Sequence, residues 1–400
     1  MTIQTASVME GYKPLNEQLV ITYLQRLGLL HNATEVTVEE VGDGNLNYVF
    51  KVQSADGTKL IVKQALPYAK VVGESWPLTL KRAKIEADAL KKHGEFVPHL
   101  VPKVFHTDEQ LAVTVMEDLS HLTIARTGLV EGAYYPKLAA ELTTYLAKTL
   151  YNTSDFALHP FEKKNLQVAF SNPELCKITE DLIFTDPYYD IETNNFEDGL
   201  QEAVQAIWQN DVLKLEVAQI KYSFLTEGEA LLHGDLHTGS VFASADEIKV
   251  IDPEFAFYGP IGFDVGQVIA NVLFQAFVRT GTAQQQILCD AAFIWNDFEK
   301  QFTTLWETKN EQQLAAVPGY VDVFLKKVLK DTFGFAGTEL IRRTIGLAHV
   351  ADLDSIQDDA VRLETKKKVL QVGEQFILNR ANWTSIEEAV AVVEKVVNEA

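Results

Sequence analysis

The spacing of apolar positions changes character near residue 117. Before it, short alternating runs dominate. Val36 and Val38 alternate with polar residues, Tyr48 to Val52 reads as a second strand and Leu60 to Val62 as a third. The runs Lys103–Thr107 and Leu111–Met116 predict two more. Two helices belong to the same region. Over residues 17–27, Leu19, Val20, Tyr23, Leu24 and Leu27 share one face, Asn16 can cap the start and Gly28 suits the stop. Residues 80–93 place Arg82, Lys84, Glu86 and Lys91 among apolar and alanine positions. These elements predict a small β-rich lobe, a five-stranded sheet with one inserted helix.

Beyond Glu117-Asp-Leu119 the period lengthens. Pro136 opens a helix in which Leu138, Leu142, Tyr145, Leu146 and Leu150 recur every three or four residues. Helices are also predicted over 198–209, 211–226, 263–279, 284–308, 321–331, 338–351 and 359–379, with short strands around two acidic motifs. The lobes expected are thus 1–116 and 121–400, joined by a linker at 117–120. The most apolar window, Val265–Val278, is interrupted by Gly266, Gln267, Asn271 and Gln275 and is too short to span a bilayer, so a buried helix is expected. Met1 to Leu15 contains Glu10 and Lys13 and lacks the apolar core of a signal peptide.

Composition narrows the class. A chain of 400 residues with 47% hydrophobic and 23% charged content has ample material for buried cores and no bias toward disorder. The formal charge of −21 argues against a broad nucleic-acid surface. It leaves room for an anionic nucleotide neutralised locally by Mg²⁺ and a few cationic side chains. Cys176 and Cys289 are far apart and in no metal spacing, as expected of a reducing compartment without disulfides.

Two motifs carry chemistry. Leu-Leu-His-Gly-Asp-Leu-His-Thr-Gly-Ser at 231–240 presents Asp235 on a loop, and Ile-Asp-Pro-Glu at 251–254 ends a Val-Ile strand in Asp252 and Glu254. A loop aspartate that orients a hydroxyl, followed seventeen residues later by a strand-end aspartate that holds Mg²⁺, is a phosphoryl-transfer arrangement. On an extended strand Asp252 and Glu254 would share one face and grip one ion cluster, and Pro253 excludes ordinary ladder pairing there. His233 and His237 could be read as zinc ligands only on a helix; Gly234 and Gly239 argue for a loop, in which His233 braces the backbone. Asp264 opens a helix and is expected to accept backbone N–H groups, from the helix start or from the loop.

Other segments fit the same chemistry, each with a plainer alternative. Gly42-Asp-Gly44-Asn45-Leu-Asn47 between two strands can bring backbone N–H groups to phosphates, or be an ordinary hairpin turn. Lys63 at a strand end can reach phosphates if Glu86 pairs with it, or be a solvated charge. The backbone of Glu117, Asp118 and Leu119 can meet an adenine, or serve as a linker alone. Arg342 and Arg343 point about 100° apart on a helix, so they can meet one ligand only near its end or at a bend. The apolar run after them predicts burial; the alternative is a surface ion pair.

With these segments the chain resembles the protein-kinase-like small-molecule kinases, which include aminoglycoside phosphotransferases and choline kinases. Within them it is most similar to those acting on 5-methylthioribose. The likeness rests on the stretches 42–50, 62–68, 72–78, 233–240 and 252–260 and on Arg342-Arg343. It implies a two-lobed α+β fold whose small lobe holds a five-stranded antiparallel sheet. It also implies transfer of the γ-phosphoryl of ATP to the 1-hydroxyl of 5-methylthioribose, a step of methionine salvage. In that scheme Asp235 is the base and meets the substrate. Gly44, Asn45, Asn47 and Lys63 hold ATP phosphates, and Glu117, Asp118 and Leu119 meet adenine. Asp252 and Glu254, with Pro253 between them, bind Mg²⁺ beside the nucleotide. Trp76 lies near the sugar, and Arg342 and Arg343 reach the sugar or the transferring phosphoryl. Most kinases carry Asn five residues after the catalytic Asp, where this chain has Ser240, which makes Glu254 the natural substitute as metal ligand. The cysteine usage points to a cytoplasmic enzyme, and the acidic charge and short apolar window to neither nucleic-acid nor membrane partners; the sequence leaves the oligomeric state open, a homodimer among the options. The competing readings are a kinase for another sugar, choline or an aminoglycoside, and a nucleotide-binding module without catalysis.

Overall fold

A computed structural model describes residues 11–31, 35–41, 47–69 and 73–399. The chain divides into two compact units, Met1–Leu122 with Lys249–Phe255, and Thr123–Ile248 with Ala256–Ala400. Residues 249–255 thus belong with the first unit although they lie far along the chain.

The first unit is built on an antiparallel sheet of five strands: β1 (Val36–Glu40), β2 (Asn47–Ser54), β3 (Lys59–Ala65), β4 (Val104–Asp108) and β5 (Val113–Glu117). Their spatial order is β1-β2-β3-β5-β4. The expected strands are all present and paired as an antiparallel sheet. Alternation buries Phe50, Val52, Leu60, Val62, Val113 and Val115 on one face. Helix α1 (Glu17–Arg26) packs Val20, Tyr23 and Leu24 onto the same core. Asn16 caps it by accepting the Leu19 N–H at 2.9 Å. Helix α2 (Lys81–Gly94) buries Ala83, Ile85, Ala87 and Leu90, and buries Arg82 and Glu86 among them. A short hairpin, Tyr68–Ala69 with Gly73–Pro77, was not expected from the sequence. The strand Ile248–Val250 leads into the acidic motif, and Val250 N–H donates to Leu100 O at 2.6 Å.

The second unit is mainly helical. It contains α3 (Ala125–Val130), α4 (Leu138–Asn152), α5 (Pro160–Ala169), α6 (Pro173–Leu182), α7 (Gln201–Gln209), α8 (Asp211–Thr226), α9 (Ile261–Val278), α10 (Gly281–Lys309), α11 (Tyr320–Ile345), α12 (Ala351–Asp354), α13 (Asp359–Asn379) and α14 (Ile386–Asn398). Every residue of α9 from Ile261 to Ala276 is buried, the expected core helix. The sequence reading breaks α11 into two helices around Gly334 and Gly337, but the structure keeps one. Each glycine costs about 1 kcal/mol of helix propensity. Packing outweighs that here, because a Cβ at Gly337 would stand 2.7 Å from Gly373 O of α13. The same helix stops at Ile345, before the predicted end at residue 351. Helices α5, α6 and α14 escaped the reading, although proline at the start of α5 and α6 is a legible initiation signal.

Candidate active site

Each unit gathers its own cluster of charged groups. In the first, Lys63 near the end of β3 sits opposite Val49 of β2 and Thr114 of β5. Its Nζ donates to Glu86 Oε1 at 2.8 Å and also contacts Asp252 Oδ1. The expected lysine–glutamate pair is therefore formed. Burial works against the Lys63 charge, but Asp252 and Glu86 outweigh it and raise its pKa. Glu254 Oε2 accepts from Asn47 Nδ2 and from Arg82 Nε, each at 3.2 Å. Arg82 is wholly buried and ties the cluster together. Its Nη2 donates to Asn47 Oδ1 at 3.1 Å, and Nη1 donates to Leu66 O at 2.7 Å and Thr79 O at 2.8 Å. Sequence reasoning missed this role. The signal was the spacing of Arg82 and Glu86, one helical turn apart on a single face of α2.

Asp252 departs from expectation in conformation. The strand ends at Val250, and Asp252 has φ +68°, so it is not extended. Aspartate enters this left-handed region more readily than most residues, but a following proline normally drives a residue toward extended geometry. Such strain amounts to about 1–3 kcal/mol and persists only where surroundings enforce it. Here the contact with Lys63 and the buried Pro253 hold the turn.

Glu86, Asp252 and Glu254 each offer an oxygen, and these lie within 4.8 Å of one another. Burial raises Glu86 to about 7, Lys63 opposing and the neighbouring carboxylates adding to it. Glu254 is raised for the same reasons, burial first and then Asp252. Three crowded carboxylates, Glu86 and Glu254 buried and Asp252 partly exposed, are the oxygen donor set a hard divalent cation such as Mg²⁺ prefers.

Near the end of this unit Glu117 closes β5. Its N–H donates to Lys103 O at 2.9 Å, and its Oε2 accepts from Lys103 N–H at 3.1 Å. Asp118 Oδ1 accepts the Ser120 N–H at 2.8 Å, and Leu119 is buried. Gly44 and Asn45 lie outside the described residues, as does the side chain of Trp76.

The second cluster centres on the loop 233–240. Asp264, in the first turn of α9, accepts His233 N–H at 2.7 Å and Gly234 N–H at 3.1 Å, as its position predicted. Gln267 Oε1 accepts Leu236 N–H at 3.0 Å. His233 Nδ1 accepts the Asp235 N–H at 3.3 Å, the brace expected of it, and Gly234 supplies the positive φ of +86° that the turn needs. Ser240 Oγ donates to His237 O at 2.8 Å and accepts His237 N–H at 3.0 Å, so its proton is committed inside the loop. The loop holds His233 and His237 off any common helical face, as Gly234 and Gly239 led the sequence to predict.

Both twin arginines converge on Asp235. Nη2 of Arg342 and Nη2 of Arg343 each lie 3.4 Å from Asp235 Oδ1. They do so from the last turn of α11, the helix-end position such convergence requires. Glu339, one turn earlier, aims them: Arg342 Nε donates to its Oε2 at 2.6 Å and Arg343 Nε to its Oε1 at 2.9 Å. The residues are buried, so the surface-pair alternative fails. Burial raises the Glu339 carboxyl, but the two guanidiniums overcome this and hold it at about 2. Asp235 is likewise kept well below the usual carboxylate range, burial being outweighed by His237, Arg343 and Arg342. Burial drives His237 down to about 4 against the pull of Asp235. A neutral imidazole facing a carboxylate must donate, so Nε2 carries the proton toward Asp235 Oδ2, 3.4 Å away. Glu339 was another residue missed from sequence, legible in retrospect from its place three and four residues before the arginine pair.

Comparison with known proteins identifies the family. The family model described as "Phosphotransferase enzyme family" matches residues 37–307. The methylthioribose kinase of Geobacillus sp. (strain WCH70) is 54% identical, over 94% of this chain and 94% of its own. That of Geobacillus kaustophilus (strain HTA426) is 53% identical over 97% of each chain. That of Exiguobacterium sibiricum is 53% identical over 92% of this chain and 95% of its own. The chain belongs to the phosphotransferase enzyme family and, within it, to the methylthioribose kinases.

Proposed function

We propose that the protein transfers the γ-phosphoryl group of ATP to the 1-hydroxyl of 5-methylthioribose, forming 5-methylthioribose 1-phosphate and ADP in methionine salvage. The substrate comes from the relatives named above; the roles come from the two clusters. The observation that carries the reading is the single oxygen of Asp235 faced by two guanidiniums, because it joins a proton acceptor to donors suited to a polyhydroxylated acceptor.

In this reading Asp235, ionised at neutral pH, accepts a hydrogen bond from the 1-hydroxyl and orients its oxygen toward the phosphorus. The bond from the γ-phosphorus to the ADP oxygen breaks as the bond to O1 forms, and the hydroxyl proton passes to Asp235. Arg342 and Arg343 bind sugar hydroxyls or take up charge on the transferring group. Lys63, held by Glu86, meets the α- and β-phosphates, with Asn47 and the segment around Gly44 and Asn45 alongside. The backbone of Glu117, Asp118 and Leu119 meets adenine; with the Glu117 N–H engaged by Lys103, the backbone donor falls to Asp118 or Leu119. Asp252 and Glu254, beside Glu86, would hold Mg²⁺, which neutralises phosphate charge when bound. A neutral Ser240 hydroxyl brings less charge to a hard cation than the Glu254 carboxylate, which supports Glu254 over Ser240 as the second ligand. Trp76 is assigned to the methylthio end of the sugar.

Product analysis tests the proposal. ³¹P NMR of a reaction with ATP and 5-methylthioribose should show a phosphate coupled to the anomeric proton. A phosphate on the 2- or 3-hydroxyl would refute the stated regiochemistry, and no phosphorylated sugar would refute the substrate.

A further inference from the structure

Arg126 makes contacts that the scheme above does not use. It lies on α3, and its Nη2 donates to Asn271 Oδ1 at 2.6 Å. Its Nε donates to Thr238 Oγ1 at 3.2 Å and stands 3.3 Å from Asp352 Oδ2. Thr238 belongs to the Asp235 loop, and Asn271 lies one turn beyond Gln267 on α9. Asn271 Nδ2 in turn donates to Glu339 Oε1 at 3.0 Å and to Gln267 O at 2.9 Å. A guanidinium can only donate and a carboxylate only accept, so the Asn271 amide has one orientation that satisfies both neighbours. Reversing it would set NH₂ against Arg126 and oxygen against Glu339.

We infer that Arg126 is a positioning residue for the acceptor side of the site: it fixes the Asn271 amide, through which Glu339 is held so that both arginines of the pair face Asp235. This rests on the kinase reading above. The contact with Thr238 fixes the Asp235 loop from the same guanidinium, so the base and the arginines are set by one side chain. Lysine cannot replace it fully, since a single ammonium lacks the planar fork that spans Asn271 and Thr238 together. Gly239 admits the approach; a Cβ there would stand 3.1 Å from Arg126 Nη1 and 2.9 Å from the His237 ring. Burial and then the nearby Arg343 lower the Arg126 pKa to about 10, while Asp352, Glu339 and Asp235 offset this. The Arg126 charge also adds to the forces that depress His237.

The test compares Arg126→Gln, Arg126→Lys and Asn271→Asp. Asn271→Asp keeps an acceptor for Arg126 but sets a second carboxylate against Glu339. KM for 5-methylthioribose should rise about tenfold or more in Arg126→Gln and in Asn271→Asp, with KM for ATP changed by less than about twofold. Arg126→Lys should fall between these and the parent. Equal losses for sugar and ATP would overturn the inference. If Arg126→Gln does not fold, Arg126→Lys and Asn271→Asp still decide the matter by the same split. NMR titration of His237 reads Arg126 without any substrate: its pKa should rise in Arg126→Gln, and an unchanged value would count against the placement. A parent enzyme that leaves 5-methylthioribose unphosphorylated would refute the proposed substrate, while the His237 titration would still judge Arg126.

Discussion

Asp235 and Arg343 face each other at 3.4 Å, and Arg342 reaches the same carboxylate oxygen from the preceding position of the helix. Consecutive helical side chains diverge by about 100°. Here Glu339 turns them back by taking the Nε of each, so one carboxylate aims two guanidiniums at another. The arrangement keeps the proton acceptor ionised and surrounds it with donors, and most of the predictions concern it.

Asp235→Asn should lower kcat by about 10² or more while leaving ATP affinity nearly intact, because an orienting carboxylate acts on transfer more than on nucleotide binding. Steady-state kinetics alongside calorimetric ATP titration checks this. Near-normal turnover would remove Asp235 from the role.

Replacing Arg342 or Arg343 by alanine should reduce kcat/KM for the sugar with little change in ATP binding. Loss of ATP binding in parallel would instead indicate a damaged fold.

Glu339→Gln should destabilise the protein by about 3–5 kcal/mol, since it leaves two buried guanidiniums without their carboxylate. The effect depends on pH. The native Glu339 carboxyl is depressed from 4.5 to about 2, so its contribution is complete above the ordinary value and is lost as pH falls toward 2. Denaturant melts of parent and variant should therefore differ most near neutrality, with the gap narrowing below about pH 4.5 and closing only near pH 2. A constant gap across that range would contradict the assignment.

Asp252→Ala and Glu254→Ala should each need more Mg²⁺ for half-maximal rate, or lose activity. Ser240→Ala should slow turnover through its loop without moving the Mg²⁺ midpoint, because its hydroxyl is bonded to His237. A Mg²⁺ titration in which Ser240→Ala alone is shifted would reverse the assignment.

How far the sequence discloses this molecule varies with the range of the interaction. Helix α1 was legible because its cap and apolar face are local, and the five strands because alternation is local. Asp235, Asp252 and Lys63 stood out because their motifs are contiguous. Arg82 did not, since its partners Glu254 and Asn47 are distant in sequence, and Glu339 did not because the carboxylate its arginines face, Asp235, is distant too. The positive φ of Asp252 was also hidden, because Ile-Asp-Pro-Glu after a strand reads as extended until tertiary contacts bend it. Gly334 and Gly337 misled for the opposite reason: they read as a break, yet the packing of α11 keeps the helix whole.

The most direct test of the account is ADP release by the purified protein, with ATP and Mg²⁺, across a panel of hydroxyl acceptors. The account predicts robust turnover of 5-methylthioribose, poor turnover of ribose, which lacks the methylthio group, and none of choline or an aminoglycoside, since cationic acceptors meet a basic pair where they would need carboxylates. Robust phosphorylation of an aminoglycoside, with none of 5-methylthioribose, would contradict it.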